Sequence, residues 1–421
     1  MVGHDRRLAF VVGMLVALIP AATGCADRCR DDDPQKVAAF EAAWRNDVEA
    51  MRRLIAEDPS LANARLCAPN DNIYGRMISW GIGAGTSSVL HVAARQGHAE
   101  FAALLIESGA EVDARDGVAG TPLHQAAEYG HDDVARLLLA ANATVDARRS
   151  GGLTPLHMAS GHGRFPVAKR LLAAGADANA KEGGAWTPMH RAASEGHDNI
   201  VRLLLEHGGD PGAVDEQDAT PLKYAVMNRH QAVVELLTVE GVAAAGGDRS
   251  RSSAFVIAAR DGDPENVRLL LSKGVDVDSR DESGRTALQL AIDRSPGGGG
   301  EWEAARTREE HEVVDLLLAA GADIEVRGNN GNRPLHMAAM FGRTEIADKL
   351  IARGADINAR NEWNATPLHY AATQHQPATV RLLLARGADV HAKNTSGKTA
   401  LGEIFGDPEI ERLLRDAGAR R

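Results

Sequence analysis

The sequence predicts an all-α repeat solenoid, and three observations support that fold class. A four-residue pattern, best preserved as TPLH at residues 121–124, recurs along the chain, and eight of the nine intervals between its copies are 33 residues. Each copy begins two short segments whose apolar residues have helical spacing. Aromatic residues make up only 4% of the chain, which favours small-residue helices in close contact. Self-similarity at a fixed period of this length indicates stacked repeat units.

The amino-terminal segment, residues 1–24, is predicted to be an export signal. Arg6 and Arg7 give it a positive start, and residues 8–22 form a largely apolar run. A run of 15 residues is shorter than the roughly 20 that a membrane-spanning helix needs, and is typical of a signal-peptide core. An uncleaved anchor and ordinary cleavage near Ala22 are the alternatives.

The end of this segment, AATGC, resembles the lipobox of bacterial lipoproteins. The resemblance implies that Cys25 becomes the lipidated first residue of the mature chain. Because Ala26 and not Asp follows, it also implies sorting to the outer membrane. The expected location is therefore the cell envelope, with the protein facing the periplasm, or a soluble exported form if no lipid is attached.

Three cysteines are present, at positions 25, 29 and 67. If Cys25 carries lipid, Cys29 and Cys67 remain, and an oxidising compartment would let them form a disulfide. The required Cα separation cannot be derived from sequence, so the pairing stays a hypothesis.

The charge balance restricts the class of partner. The formal net charge is −11, and no run of Lys and Arg offsets it. Phosphate contacts need clustered cations, so nucleic acid is not an expected partner. Peripheral attachment to an anionic bilayer is disfavoured for the same reason, which leaves the amino-terminal lipid as the expected membrane link.

The unit that begins at Thr121 shows how one repeat is built. Thr121 is a good helix N-cap, and Pro122 suits the first helical position, where no backbone donor is required. Gly130 is placed to end this first helix. Apolar residues within 134–138 then define a second helix, which ends at Asn142, a residue that tolerates the left-handed conformation. An extended segment and a turn lead to the next unit.

The 33-residue period and the T-P-L-H-x-A pattern resemble the ankyrin repeat, over about residues 35–421. The resemblance implies about eleven units of paired antiparallel helices with β-hairpin loops. It also implies that the histidine of the pattern hydrogen-bonds neighbouring turns and does not bind a metal. The recurring histidines are His91, His124, His157, His190, His336 and His369.

Two further observations favour a structural role for these histidines. A second set, His98, His131 and His197, is predicted to begin the second helices. Four units replace the first histidine, with Lys223, Val256, Gln289 and Gly402. A catalytic residue could not be replaced so freely.

The predicted domain organisation follows from the repeat. Residues 25–34 form a linker, 35–66 a degenerate capping repeat and 67–87 an insertion, and 88–421 contain about ten repeats. A second insertion near 294–307 separates the two helices of one unit. The GIGAG run in the first insertion lacks the GK[ST] of a phosphate loop, so no nucleotide or other cofactor is predicted.

The predicted function is an exported scaffold that binds a protein partner through its concave face and hairpin tips. The chain has no GxSxG, HExxH or paired CxxC motif and no acidic metal cluster, so an enzyme is the less favoured alternative. Another alternative is a spacer that only presents its two insertions to a partner. The sequence does not name the partner, because a fold does not carry a ligand code.

Six residues are the predicted partner contacts, because large aromatic or Met side chains are the usual interface anchors. They follow the paired small residues of the first helices or lie beside the turns. The alternative for each is packing against an adjacent repeat. The six are Tyr129, Trp186, Met227, Met340, Phe341 and Trp363.

Overall fold

The structure is a computed structural model of the 421-residue chain. It describes residues 33–66, 87–240, 247–293, 301–404 and 406–420. The predicted signal peptide and Cys25, Cys29 and Cys67 lie outside these residues, so the lipid and disulfide hypotheses stay predictions. Residues 67–86 and 294–300 of the two insertions also lie outside them.

The described residues form eleven pairs of helices, which confirms the predicted all-α repeat solenoid. The first helices are Pro34–Arg45, Val89–Gln96, Pro122–Tyr129, Pro155–Gly161, Pro188–Glu195, Pro221–Met227, Gly247–Arg260, Ala287–Asp293, Pro334–Met340, Pro367–Thr373 and Ala400–Glu403. The second helices are Val48–Glu57, Ala99–Glu107, Asp132–Ala140, Phe165–Ala173, Asp198–Glu206, Gln231–Glu240, Pro264–Ser272, Glu301–Ala319, Thr344–Ala352, Pro377–Ala385 and Pro408–Asp416. None of the described helices combines the length and the apolar character that crossing a bilayer requires.

The described residues divide into two compact units, one that ends at residue 155 and one that begins at residue 156. Within each unit a first helix packs against the first helices of neighbouring pairs and against its own second helix. The core lies between these two layers. In the second unit Met189, Ala192 and Leu204 are fully buried there, and the small alanine allows the helices to approach closely.

The helix ends have the predicted chemistry. The Thr187 side chain accepts a hydrogen bond from the His190 amide, and Pro188 occupies the first turn. Gly196 ends that helix with φ of 79°, a left-handed conformation that favours glycine. Asn142 also has a positive φ, of 62°, as the sequence predicts.

The loops between repeats are tight turns rather than the paired strands of the predicted β-hairpins. Among the described residues the only strands are Arg65–Leu66 and Ser87–Ser88, which pair at the base of the first insertion. We call the other turns tips. The tips are residues 116–120, 149–153, 182–186, 215–219, 281–285, 328–332, 361–365 and 394–398.

Two helices begin earlier than the repeat pattern predicts. The first helix Gly247–Arg260 starts before the SAFV copy at 253–256 and replaces a tip. The second helix Glu301–Ala319 starts within the predicted insertion near 294–307. Its first residues, EWEAAR, are mostly strong helix formers, so the second helix extends backward into the inserted sequence.

Candidate protein-binding surface

Six histidines of the repeated pattern connect their first helices to the following tips. In His124, Nδ1 accepts from the Thr121 amide at 3.1 Å and Nε2 donates to the Leu153 carbonyl at 3.0 Å. A backbone amide can only donate and a carbonyl can only accept, so the ring is neutral with its hydrogen on Nε2. The equivalent pairs are His91–Gly120, His157–Trp186, His190–Ala219, His336–Ala365 and His369–Lys398.

Burial makes this neutral state the stable one. It lowers the pKa of His124 to about 4, although the bond to the Leu153 carbonyl opposes the shift. Burial likewise lowers the pKa of His336 to about 4. An imidazole inside the repeat core loses hydration when it is charged, so the neutral form is favoured.

The second set of histidines connects the repeats that contain them to the preceding repeats. His131 is the N-cap of its helix, as predicted, and its Nε2 donates to the Arg95 carbonyl at 2.8 Å. His197 reaches the Gly161 carbonyl in the same way, at 3.3 Å. Both sets therefore have structural partners. Among the described residues no group of three His, Cys, Asp or Glu side chains is arranged to hold a metal ion.

The candidate surface consists of the tips and of the side of the first helices that faces away from the core. We call it the inner-helix surface. In the first unit it contains Tyr129, which is half-buried. The Arg95 guanidinium lies 4.9 Å from its ring centroid, and the His131 ring stacks on it at 6.5 Å. Burial raises the pKa of Tyr129. The predicted contact residue is thus packed on two sides while one part stays accessible.

In the second unit Trp186 lies in a polar and aromatic cluster. Its ring centroid is 4.6 Å from that of Tyr224, and the Arg191 guanidinium lies 5.5 Å from the indole ring. Trp186 Nε1 donates to Asp215 Oδ2 at 3.1 Å, and the Tyr224 hydroxyl donates to the same oxygen at 2.5 Å. Packing against the next repeat, the structural alternative for Trp186, therefore occurs.

The charge of this cluster is stabilised internally. Burial alone would raise the pKa of Asp215, but hydrogen bonds from Tyr224 and from two tip amides lower it below its usual value. Burial and the bond to Asp215 raise the pKa of Tyr224 to about 12. Nearby, Arg191 Nη2 donates to Glu182 Oε1 at 2.7 Å. A carboxylate with several donors is held rigidly, so the cluster fixes the tip on the first helix.

The sequence analysis did not single out Tyr224, Asp215 or Arg191. A signal for them exists, because the first residue of a tip contacts the residue nine positions later on the following first helix. This spacing joins Asp215 to Tyr224 and Glu182 to Arg191. It becomes visible only when the tip position is known.

The other predicted contacts are more accessible. Met227 ends its first helix with 45% of its surface exposed, and Trp363 lies in a tip with 46% exposed. Met340 and Phe341 follow one another at the end of a first helix and are half-buried. Within the second unit, Trp186 joins a packed cluster, whereas Met227 and Trp363 present their side chains to solvent.

Comparison with protein families settles the class of the repeat. A profile for ankyrin repeats in three copies matches residues 90–182, 156–248 and 302–394, and one for many copies matches residues 255–295. The chain belongs to the ankyrin-repeat family. Ankyrin-repeat domains are in general non-catalytic scaffolds for protein–protein interaction. The curated proteins contain no match to this ankyrin-repeat protein.

Proposed function

We propose that this ankyrin-repeat protein is an exported scaffold that binds a protein partner through its inner-helix surface and tips. The observation that carries the proposal is the exposure of large apolar side chains there. Met227 is 45% exposed and Trp363 is 46% exposed, although solvent contact gives neither any stabilisation. Met and Trp are enriched at interface centres, where burial against a partner makes them energetic anchors.

The packing beneath these side chains supports the same proposal. The histidine ties and the Asp215 cluster hold the first helices and tips in one conformation. A surface that is already ordered loses little conformational entropy on binding. Trp186, Met340 and Phe341, which are half-buried, then act as further, partly accessible contacts of the second unit, and Tyr129, also half-buried, as the contact of the first unit.

The partner can be found by crosslinking in the native cell envelope, followed by affinity capture and mass spectrometry. Binding of the recovered partner is then measured for Met227→Ala and Trp363→Ala. Truncating a real anchor should cost about 2 kcal/mol or more of binding free energy. Val239→Ala is the matched control, because Val239 is 56% exposed but lies on a second helix.

Wild-type binding by both variants, and by alanine variants of the four half-buried contacts, would reject the inner-helix surface. The alternative function, a spacer that presents the insertions, has its own test. Shortening residues 67–87 and the insertion near 294–307 should leave binding intact if the inner-helix surface is the site. Loss of binding with unchanged helicity would instead favour the spacer.

Export is part of the proposal and has separate tests. The mature chain is proposed to begin at lipidated Cys25 and to face the periplasm. Intact-mass analysis of protein from its own host should then show loss of residues 1–24 and an added acyl mass. A full-length cytoplasmic species would reject export. A non-reduced peptide map tests the proposed Cys29–Cys67 disulfide, and two free thiols would reject that pairing.

A further inference from the structure

The last three tips of the second unit, residues 328–332, 361–365 and 394–398, differ in charge from tips that begin with Asp. We call them the C-terminal tips. In an Asp tip the carboxylate organises the turn: Asp215 Oδ1 accepts from the amides of Gln217 and Ala219, both at 2.8 Å. The C-terminal tips begin instead with uncharged Gly or Asn.

Asparagine keeps the geometry of the turn without the charge. Asn361 Oδ1 accepts from the amides of Trp363 and Ala365, at 3.0 and 2.9 Å. Asn394 Oδ1 does the same for two amides of the next tip, at 3.0 and 3.1 Å. In these two tips the hydrogen bonds of the turn are therefore retained, and only the negative charge is absent.

A cation precedes each C-terminal tip and is not neutralised. Arg327, Arg360 and Lys393 occupy these positions, Lys398 ends the last tip, and all four are exposed. None of the four forms an ion pair within the described part of the chain; the one bond of Arg360 is to the Lys393 carbonyl. With Glu362 as the single acid, the three six-residue segments carry four positive charges and one negative, +3 in a chain of −11.

The cations form a regular row. The Glu362 amide donates to the Asn330 carbonyl at 3.1 Å, and the Thr395 amide donates to the Trp363 carbonyl at 2.8 Å. These bonds place the three tips side by side. Neighbouring packed helices lie about 8–10 Å apart, so the row repeats at that spacing. The exposed indole of Trp363 lies in the middle tip.

We propose that the C-terminal tips bind an extended acidic segment of a protein, with a carboxylate at every third residue. Three residues of polyproline II helix advance about 9.3 Å and return to the same face, which matches the row. Trp363 then packs on the apolar side of the bound segment. This inference rests on the proposed scaffold function and specifies the chemistry of its partner.

A protein segment fits these tips better than a nucleic acid or an anionic bilayer. Glu362 lies among the four cations and would face any continuous row of phosphates. The total charge of −11 also repels a long, densely charged polyanion more strongly than a short segment with spaced carboxylates. A short segment with spaced carboxylates can instead meet the cations one at a time.

The test uses the full-length chain and two labelled peptides, one of repeated Glu-Pro-Pro and one of repeated Gln-Pro-Pro, in a fluorescence anisotropy titration. Only the Glu peptide is expected to bind, and added salt should weaken it. Arg327→Glu with Lys393→Glu should reduce its affinity about tenfold, because two attractions become repulsions. Arg353→Glu with Arg412→Glu is the control. It makes the same charge change at exposed residues of the second helices and their ends, and should alter affinity less than about twofold.

Each other outcome overturns the inference. Equal binding of both peptides, binding of neither, or equal weakening by the control pair would each reject spaced carboxylate recognition. Tighter binding to phosphatidylglycerol vesicles or single-stranded DNA would assign the tips to a different ligand. A melting curve checks that each variant folds, and Lys398→Glu replaces the double variant if that one does not. If the peptide titration fails but a partner is still captured and its binding depends on Met227, the acidic ligand is rejected and the scaffold function is not.

Discussion

His124 and Leu153, 29 residues apart, are joined by a hydrogen bond of 3.0 Å from the imidazole Nε2 to the backbone carbonyl. The bond connects the first helix of one repeat to the tip that leads into the next. The other ring nitrogen, Nδ1, accepts a hydrogen bond from the Thr121 amide. One neutral side chain therefore satisfies backbone groups in two places, which makes folding sensitive to its protonation.

Lowering the pH should destabilise the protein through these histidines. An unfolded histidine titrates near 6.5, whereas His124 and His336 titrate at about 4 in the folded state. Between these values the unfolded chain binds more protons, so the stabilisation is complete above pH 6.5 and is lost as the pH falls toward 4. Each such histidine contributes a slope of about 1.4 kcal/mol per pH unit.

Urea unfolding at several pH values between 7 and 4.5 measures this slope. His124→Gln should reduce it, because one titrating group is removed. Leu123→Ala, which truncates a fully buried neighbour, should lower stability without changing the slope. If the slope is the same in the His124→Gln variant as in the wild type, His124 does not supply the pH dependence.

Gly97→Ala should destabilise more than Gly109→Ala. Both glycines have positive φ, 78° and 84°, so both variants incur a left-handed strain of about 1–2 kcal/mol. At Gly97 the new Cβ would lie 2.4 Å from His131 Nδ1, whereas at Gly109 nothing lies within 4 Å. Displacing His131 also removes its bond to Arg95, worth about 0.5–1.5 kcal/mol. Thermal unfolding of the two variants compares them directly, and equal losses would contradict this contact.

Tyr224→Phe should cost about 1.5–3 kcal/mol, because the lost hydrogen bond goes to the charged Asp215. It should also raise the pKa of Asp215, whose carboxylate loses a donor. Tyr370→Phe is the control, since the Tyr370 hydroxyl accepts from the neutral Asn361 amide and its loss should cost about 0.5–1.5 kcal/mol. NMR titration of the Asp215 carboxyl checks the pKa, and an unchanged value would show that Tyr224 does not influence it.

Two acids on the helix Glu301–Ala319 should differ in their effect on stability. Glu310 is 4% exposed and lies 3.6 Å from the guanidinium of Arg343, whose side chain is 11% exposed. Glu310→Ala should cost about 3–5 kcal/mol, because it leaves a largely desolvated cation without this acidic partner. Asp315, 49% exposed beside Lys349, should cost at most about 1 kcal/mol when changed to Ala. Similar unfolding free energies for the two variants would contradict the importance of burial here.

The sequence predicts most of the fold because the information is local and repeated. Thr187 as N-cap, Pro188 in the first turn and Gly196 as C-cap each have a short-range cause. Because the same pattern recurs in the other units, an ambiguous secondary-structure prediction in one copy is corrected by the remaining copies. The role of the pattern histidines was also predicted, because the resemblance to ankyrin repeats implies the hydrogen bond that His190 makes to the following tip.

The early helix starts and the side-chain cluster were not predicted, for physical reasons. Alignment to the repeat suggests a tip before residue 253, but a competing helical segment takes that place. The contact between Tyr224 and Trp186 joins residues of successive repeats, and its geometry depends on how the tip lies on the helix. Propensity and spacing do not contain that information.

The substituted histidines have a practical consequence for dividing the chain into fragments. Lys223 stands at the histidine position of its repeat, and the tip that would follow is absent because the helix Gly247–Arg260 occupies its place. Gly402 stands at the histidine position of the last repeat. A fragment boundary after residue 240 therefore cuts no histidine tie. A boundary after residue 385 would separate His369 from the Lys398 carbonyl and leave a buried donor unsatisfied.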